Sequence, residues 1–144
     1  EYITADLNSP LAEIKMDIHN MPFKENSFDF ILCNHVLEHV ENDIKALKEI
    51  RRVLKKNANG IVQVPFYNPI SEVTVEDKLI VSKKERELLY GQSDHVRKYG
   101  NDYKRRLEST GLNVEVKKPN LFLKDSEIKK YCIIRSEDLY IIGK

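Results

Sequence analysis

From Phe28 to Asn34 the chain reads Phe-Asp-Phe-Ile-Leu-Cys-Asn, a nearly continuous apolar run of the kind expected for a strand covered on both faces. An amphipathic helix follows. Asn42 is its N-cap, with Asp43 favourable in the first turn. Ile44, Leu47, Ile50 and Leu54 fall on one stripe, with Ala46 and Val53 beside it, while Lys48, Glu49, Arg51 and Arg52 face water. Lys55 and Lys56 suit the negative end of the helix dipole, and Asn57-Ala58-Asn59-Gly60 stops the helix. Residues 61–64 then form another apolar strand, ended by Pro65. A strand, a helix and a strand in this order make a βαβ unit with a right-handed crossover, which restricts the chain to a largely parallel sheet.

The remaining segments extend that sheet. Residues 2–6 and 14–17 read as short strands separated by the turn Asn8-Ser9-Pro10, and residues 20–27 form a polar loop carrying Pro22-Phe23. After an irregular stretch, residues 82–90 have a helical pattern and residues 91–100 form a polar loop. Asn101 caps a helix that runs to Ser109 and stops at Gly111. Residues 112–118 form an amphipathic strand with Leu112, Val114 and Val116 inward, residues 125–131 a short helix, and residues 139–142 a closing strand. The expected fold is α/β: a Rossmann-like, mostly parallel open sheet with flanking helices, in one domain over residues 1–144. Ligands of such sheets lie beyond the carboxyl ends of the strands. Attention therefore falls on Asp6, Asp17, Asn34, His35, Pro65 and Phe66.

Composition narrows the partners. Lys and Arg number 24 against 23 Asp and Glu, so no general affinity for nucleic acid is expected. Lys83-Lys84 and Lys104-Arg105-Arg106 stand beside acidic residues and read as solvated helix faces. Cys33 and Cys132 lie far apart without a CxxC pair, as in reduced cytosolic proteins. No apolar run approaches the roughly 20 residues that span a bilayer, and no signal peptide is visible. The expectation is a cytoplasmic protein without a membrane partner.

The strand tips carry polar side chains with more than one reading. A carboxylate at Asp6 can accept from both hydroxyls of a ribose, or simply form the following turn. Asp17 can accept from an adenine amino group, with the amide of Ile18 facing the ring, or make an Asx turn. Asn34 and His35 sit where a substrate or cofactor must lie, although a histidine there can also cap a turn. His35-Val36-Leu37-Glu38-His39 matches the H-x-x-E-H pattern of inverted zinc peptidases. That motif needs one long helix running through both histidines, whereas here a strand enters directly before His35. No metal is therefore expected.

Taken together, Asp17-Ile18-x-x-Met21-Pro22-Phe23, Ser27-Phe28-Asp29, His35-Val36-Leu37-Glu38-His39 and Leu47-x-Glu49-Ile50-x-Arg52-Val53-Leu54-Lys55 resemble the class I S-adenosylmethionine-dependent methyltransferases. The likeness is to the methyltransferase-11, or ubiquinone-biosynthesis-like, group, and covers residues 2–64. Thr74-x-Glu76-Asp77 and Gly91-Gln92-x-Asp94-His95-Val96-Arg97-x-Tyr99-Gly100-x-Asp102-Tyr103 resemble a signature of a less characterised subgroup. The resemblance implies a mostly parallel sheet with an antiparallel last strand, and S-adenosylmethionine as methyl donor to a small-molecule acceptor. Asp6 would bind the ribose, Asp17 and Ile18 the adenine, and Asn34 and His35 would lie near the methyl end. Pro65 and Phe66 would border the acceptor pocket.

Two features depart from the family. Asn57-Ala58-Asn59-Gly60 stands where relatives carry a glycine pair, and asparagine tolerates the left-handed turn. More seriously, the family's first strand and glycine-rich loop precede the strand of Asp6, whereas this sequence opens at Glu1. The expectation is an amino-terminally truncated domain that binds S-adenosylmethionine weakly or not at all, with a homodimer filling the missing strand. In the downstream loop, Gln92, Asp94, His95, Arg97 and Tyr99 are expected to contact the acceptor: a histidine beside an aspartate as base, and Arg97 on a carboxylate or phosphate. His35 and His95 are the catalytic candidates. The competing function is a non-catalytic interaction module that keeps the fold without the cofactor.

Overall fold

A computed structural model describes residues 2–135 and 137–144. Its strands are β1 (Ala5–Asp6), β2 (Ile14–Lys15), β3 (Phe28–Asn34), β4 (Leu54–Gln63), β5 (Asn113–Lys117) and β6 (Leu139–Gly143). Its helices are α1 (Asp43–Val53), α2 (Lys83–Tyr90), α3 (Tyr103–Glu108) and α4 (Asp125–Lys130). The βαβ unit reads β3-α1-β4, and β3 and β4 pair in parallel from Phe30↔Asn59 to Asn34↔Gln63. β6 then pairs antiparallel with both β4 and β5, giving the order β3-β4-β6-β5. The last strand is thus antiparallel, as expected. β1 and β2 form a separate parallel pair, with Asp6 opposite Lys15.

Among the described residues both sheets are open, with β3 and β5 at the edges of one and β1 and β2 at the edges of the other. On the free edge of β3, Phe30 and Leu32 remain 54% and 59% exposed, an unusual degree for large apolar side chains on a strand.

α1 forms because its apolar residues recur at helical spacing. Asn42 accepts a hydrogen bond from the amide of Lys45 at 2.9 Å, satisfying one of the orphan donors of the first turn. Ala46, Leu47, Ile50 and Val53 are fully buried, each large side chain contributing about 1.5–3 kcal/mol. An aromatic cluster packs against the same core. Tyr103 meets Tyr99 and Tyr140 edge-on at 4.9 and 4.7 Å, and Phe66 stacks on Tyr140 at 5.8 Å.

Several boundaries differ from the sequence reading. α1 stops at Val53, and Leu54 is already extended. The amides of Asn26 and Ser27 donate to the carbonyls of Arg52 and Val53, occupying groups that a further helical turn would leave free. Lys55 therefore does not serve the helix end. Its ammonium lies 2.7–2.8 Å from the carboxylate of Asp29 instead. Gly60, read as part of a helix stop, is buried inside β4 opposite Ile31. Glu49 and Arg52 do not simply face water. Arg52 donates to the carbonyls of Met21 and Phe23, and Glu49 accepts from the amide of Met21. Asn101 does not cap α3. Its side chain reaches Glu72, and the cap position belongs to Asp102. Val116 is 36% exposed rather than inward, because β5 is an edge strand.

Candidate functional site

The carboxyl ends of the parallel strands carry the polar residues singled out by sequence. Asp6 Oδ1 accepts from the amides of Asn8 and Ser9, both at 2.7 Å, so the carboxylate shapes the turn after β1. These two amides hold its carboxyl below the usual carboxylate range, and the group is an ionised acceptor. Asp17 Oδ1 accepts from the backbone amide of His19 at 2.8 Å and lies 2.7 Å from His19 Nδ1. That amide is the main reason its carboxyl is also held low. His19 Nε2 in turn accepts from the amide of Asn42 at 3.4 Å, tying the tip of β2 to the start of α1.

At the tip of β3, Asn34 lies opposite Gln63, and the amide of His35 extends the ladder to the carbonyl of Gln63 at 3.0 Å. His35 has φ 52°, in the left-handed region that few non-glycine residues adopt. This kink turns the chain out of the sheet and starts the tight turn 36–41 rather than a helix. Glu38, in that turn, is 1% exposed. Its Oε1 lies 3.3 Å from His35 Nδ1 and 3.9 Å from His39 Nε2. Its Oε2 is buried without a hydrogen-bond partner among the described residues.

The loop after α2 closes over this turn. The amide of Val96 donates to the carbonyl of Glu38 at 2.9 Å. Asp94 Oδ2 lies 3.3 Å from His39 Nδ1, and the rings of His39 and His95 meet edge-on at 4.8 Å. His95 is buried, with Nδ1 3.3 Å from the carbonyl of Tyr90 and Tyr67 packed nearby at 6.2 Å. Burial first, and the adjacent His39 second, push the pKa of His95 down, which favours the neutral imidazole. Five histidine and carboxylate residues from two distant segments thus meet beside the tip of β3.

Two residues expected at the acceptor do other work. Arg97 is 2% exposed and donates to the carbonyls of Leu37, Val40 and Glu41, and to Glu76 at 2.9 Å. A guanidinium spent on four acceptors is not available to a substrate carboxylate or phosphate; it fastens the turn to the loop. Tyr99 is fully buried and donates to Asp43 at 2.9 Å, so it belongs to the core. Gln92 and Asp94 remain exposed, and Pro65 and Phe66 are half-buried at the end of β4.

The distal signature is accounted for by the same network. Asp43 is buried between Arg106 and Arg97, and Arg106 also reaches Glu76 at 2.8 Å. Burial would raise the carboxyl pKa of Asp43, but the guanidinium groups of Arg106 and Arg97 outweigh it and hold the pKa down. Asp102 accepts from the amide and hydroxyl of Thr74, both at 2.8 Å. At Gly100 a Cβ would come within 2.5 Å of the Val73 backbone, so only glycine fits. Sequence reading met Glu38 and Glu76 only as motif positions and Asp43 only as a first-turn carboxylate, and missed that Glu38 and Asp43 are buried.

Comparison with known proteins bears on the fold and on residues 3–62. Residues 3–62 match the family described as a methyltransferase domain. An uncharacterized protein of Methanocaldococcus jannaschii is 54% identical over 52 residues, covering 36% of this chain and 23% of that protein. The ubiquinone/menaquinone biosynthesis C-methyltransferase of Haemophilus ducreyi is 28% identical over 93 residues, covering 51% of this chain and 36% of its own length. The chain therefore spans a minor part of these curated relatives. The crystal structure of a SAM-dependent methyltransferase from Archaeoglobus fulgidus superposes with a TM-score of 0.59 at 15% identity, over 97% of this chain and 74% of that one. At that identity the likeness establishes the fold. No helix among the described residues is long and apolar enough to cross a membrane.

Proposed function

From a chain that has the class I S-adenosylmethionine-dependent methyltransferase fold and matches the methyltransferase-domain family over residues 3–62, we propose that it carries the adenosine-binding part of a methyl-transfer site acting on a small-molecule acceptor. The observation that supports this most is the state of Asp6. Both of its hydrogen bonds go to Oδ1, which leaves Oδ2 of an ionised, exposed carboxylate free to accept from ribose hydroxyls. Asp17 and the amide of Ile18 would take the adenine edge, and Asn34 and His35 would border the methyl-bearing end. When bound, the cofactor supplies an electrophilic methyl group. The chain's own contribution is to align the acceptor with it, and orientation alone can account for much of such a barrier. Pro65, Phe66, Gln92 and Asp94 would border the acceptor, and the exposed His35 is the histidine placed to take a proton from it.

Affinity for the cofactor in this chain should be weak, because the contacts identified hold only the adenosine side. Equilibrium dialysis with labelled S-adenosylmethionine tests the reading. Saturable binding that Asp6→Asn weakens about tenfold supports it, that loss corresponding to one charge-assisted hydrogen bond. Binding that is indifferent to Asp6→Asn and Asp17→Ala counts against it.

The open edge of β3 supports a second expectation, a homodimer in which another copy covers Phe30 and Leu32.

A further inference from the structure

Outside the strand-tip carboxylates, the densest grouping of ligand-type side chains is Glu38, His39 and His95. One donor atom from each lies within 4.8 Å of the others. We propose that these three residues form a binding site for a divalent transition metal of the zinc type. The set is not the inverted-peptidase arrangement, because His35 to His39 lie in a turn and the second imidazole comes from a loop more than fifty residues onward.

Three observations converge on this site. The first is Glu38 itself, whose side chain is 1% exposed and whose Oε2 has no hydrogen-bond partner among the described residues. Buried carboxylates are ordinarily paired or bound to a metal, and an unsatisfied buried oxygen calls for such an explanation. The second is the orientation of both imidazoles. His39 Nδ1 faces the Asp94 carboxylate at 3.3 Å, and His95 Nδ1 faces the Tyr90 carbonyl at 3.3 Å. With Nδ1 held by an acceptor, Nε2 is the nitrogen free to ligate, and this outer-shell arrangement accompanies most metal-binding histidines. His39 Nε2 lies 3.9 Å from Glu38 Oε1. The third is chemical type. Two imidazoles and one carboxylate suit zinc, cobalt or nickel rather than magnesium or calcium, which prefer oxygen donors throughout.

Tetrahedral ligation at about 2.0–2.1 Å sets donor atoms roughly 3.4 Å apart. The present spacing needs a shift of about an ångström, which half-exposed His39 can supply. Three protein ligands leave a fourth position for water or for an oxygen of a bound molecule. Because that position adjoins His35, metal and acceptor would share one end of the sheet. Metal binding nevertheless stands or falls independently of methyl transfer, since it is read directly.

The test is titration of chelator-stripped protein with Co²⁺, followed by visible d–d absorption, with Zn²⁺ displacement monitored by calorimetry. One equivalent should bind with a tetrahedral spectrum. His39→Ala should abolish that spectrum, and its partly exposed position keeps the fold intact, as circular dichroism checks. Asp94→Asn should weaken binding about 10–100-fold by releasing the His39 ring. Cys132→Ser, which removes an exposed thiol, should leave binding unchanged. A titration without a saturable signal, a signal that survives His39→Ala, or one lost with Cys132→Ser would overturn the assignment.

Discussion

The guanidinium of Arg97 donates to the carbonyl of Leu37 at 2.6 Å and to that of Glu41 at 2.9 Å, so one buried side chain holds both ends of the turn that follows β3. Residues sixty positions apart are thereby fixed around His35, Glu38 and His95. Arg97→Ala removes these bonds and leaves Asp43 and Glu76 with one guanidinium partner fewer. Loss of one partner from a buried ion pair costs about 3–5 kcal/mol, which urea denaturation would read as a lowered midpoint. Arg97→Lys should not restore it, because an ammonium cannot reproduce the planar fork.

Asp43 and Glu76 also set the acid limit. Their carboxyls are held below their ordinary values of 3.8 and 4.5 by Arg106 and Arg97, against the opposing effect of burial. A depressed folded pKa means that the unfolded chain binds protons first as the pH falls. The stability these residues contribute is therefore complete above about pH 4.5 and is lost progressively below it. Thermal melts between neutral pH and pH 3 should show that decline. In Asp43→Asn protein the decline should be shallower, from a lower starting melting temperature.

Gly60 tests the β3–β4 ladder. A Cβ there would lie 2.7 Å from the carbonyl oxygen of Ile31 and 3.2 Å from Ile142. Backbone cannot yield as a flexible side chain does, so Gly60→Ala should destabilise the protein by about 1–3 kcal/mol. Chemical denaturation would measure it, and a neutral effect would mean that the two strands are not in this register.

How much of this was legible beforehand depended on the range of the forces involved. β3 and the start of α1 were readable because an apolar run and the Asn42 cap are local properties, but the cover expected on both faces of β3 is missing from the face of Phe30 and Leu32. The end of α1 was not, because it is decided by the amides of Asn26 and Ser27, brought in by tertiary folding. The strand-tip residues Asp6, Asp17 and His35 were legible from topology, since a parallel sheet presents its carboxyl ends to ligands. The role of Arg97 was not. An arginine in a polar loop reads as a group for an acceptor carboxylate or phosphate, and only the fold shows that backbone carbonyls in the turn 37–41 take its donors. Glu38 was concealed in the same way, within a motif whose familiar use requires a helix absent here.

The exposed edge of β3 makes its own prediction. If a second copy covers Phe30 and Leu32, light scattering should give a dimer for the unaltered chain and a monomer for Leu32→Lys, with the circular dichroism unchanged. A protein that is monomeric over the accessible concentration range would contradict that arrangement.

The central claim is that the tips of β1, β2 and β3 form one adenosine site. Amide chemical-shift mapping during titration with S-adenosylhomocysteine tests it most directly. The account predicts saturable shifts clustered at Asp6, Asp17, Ile18, Asn34 and His35, and absent from the amides of β5. Shifts scattered over the surface, or none at saturating ligand, would contradict it.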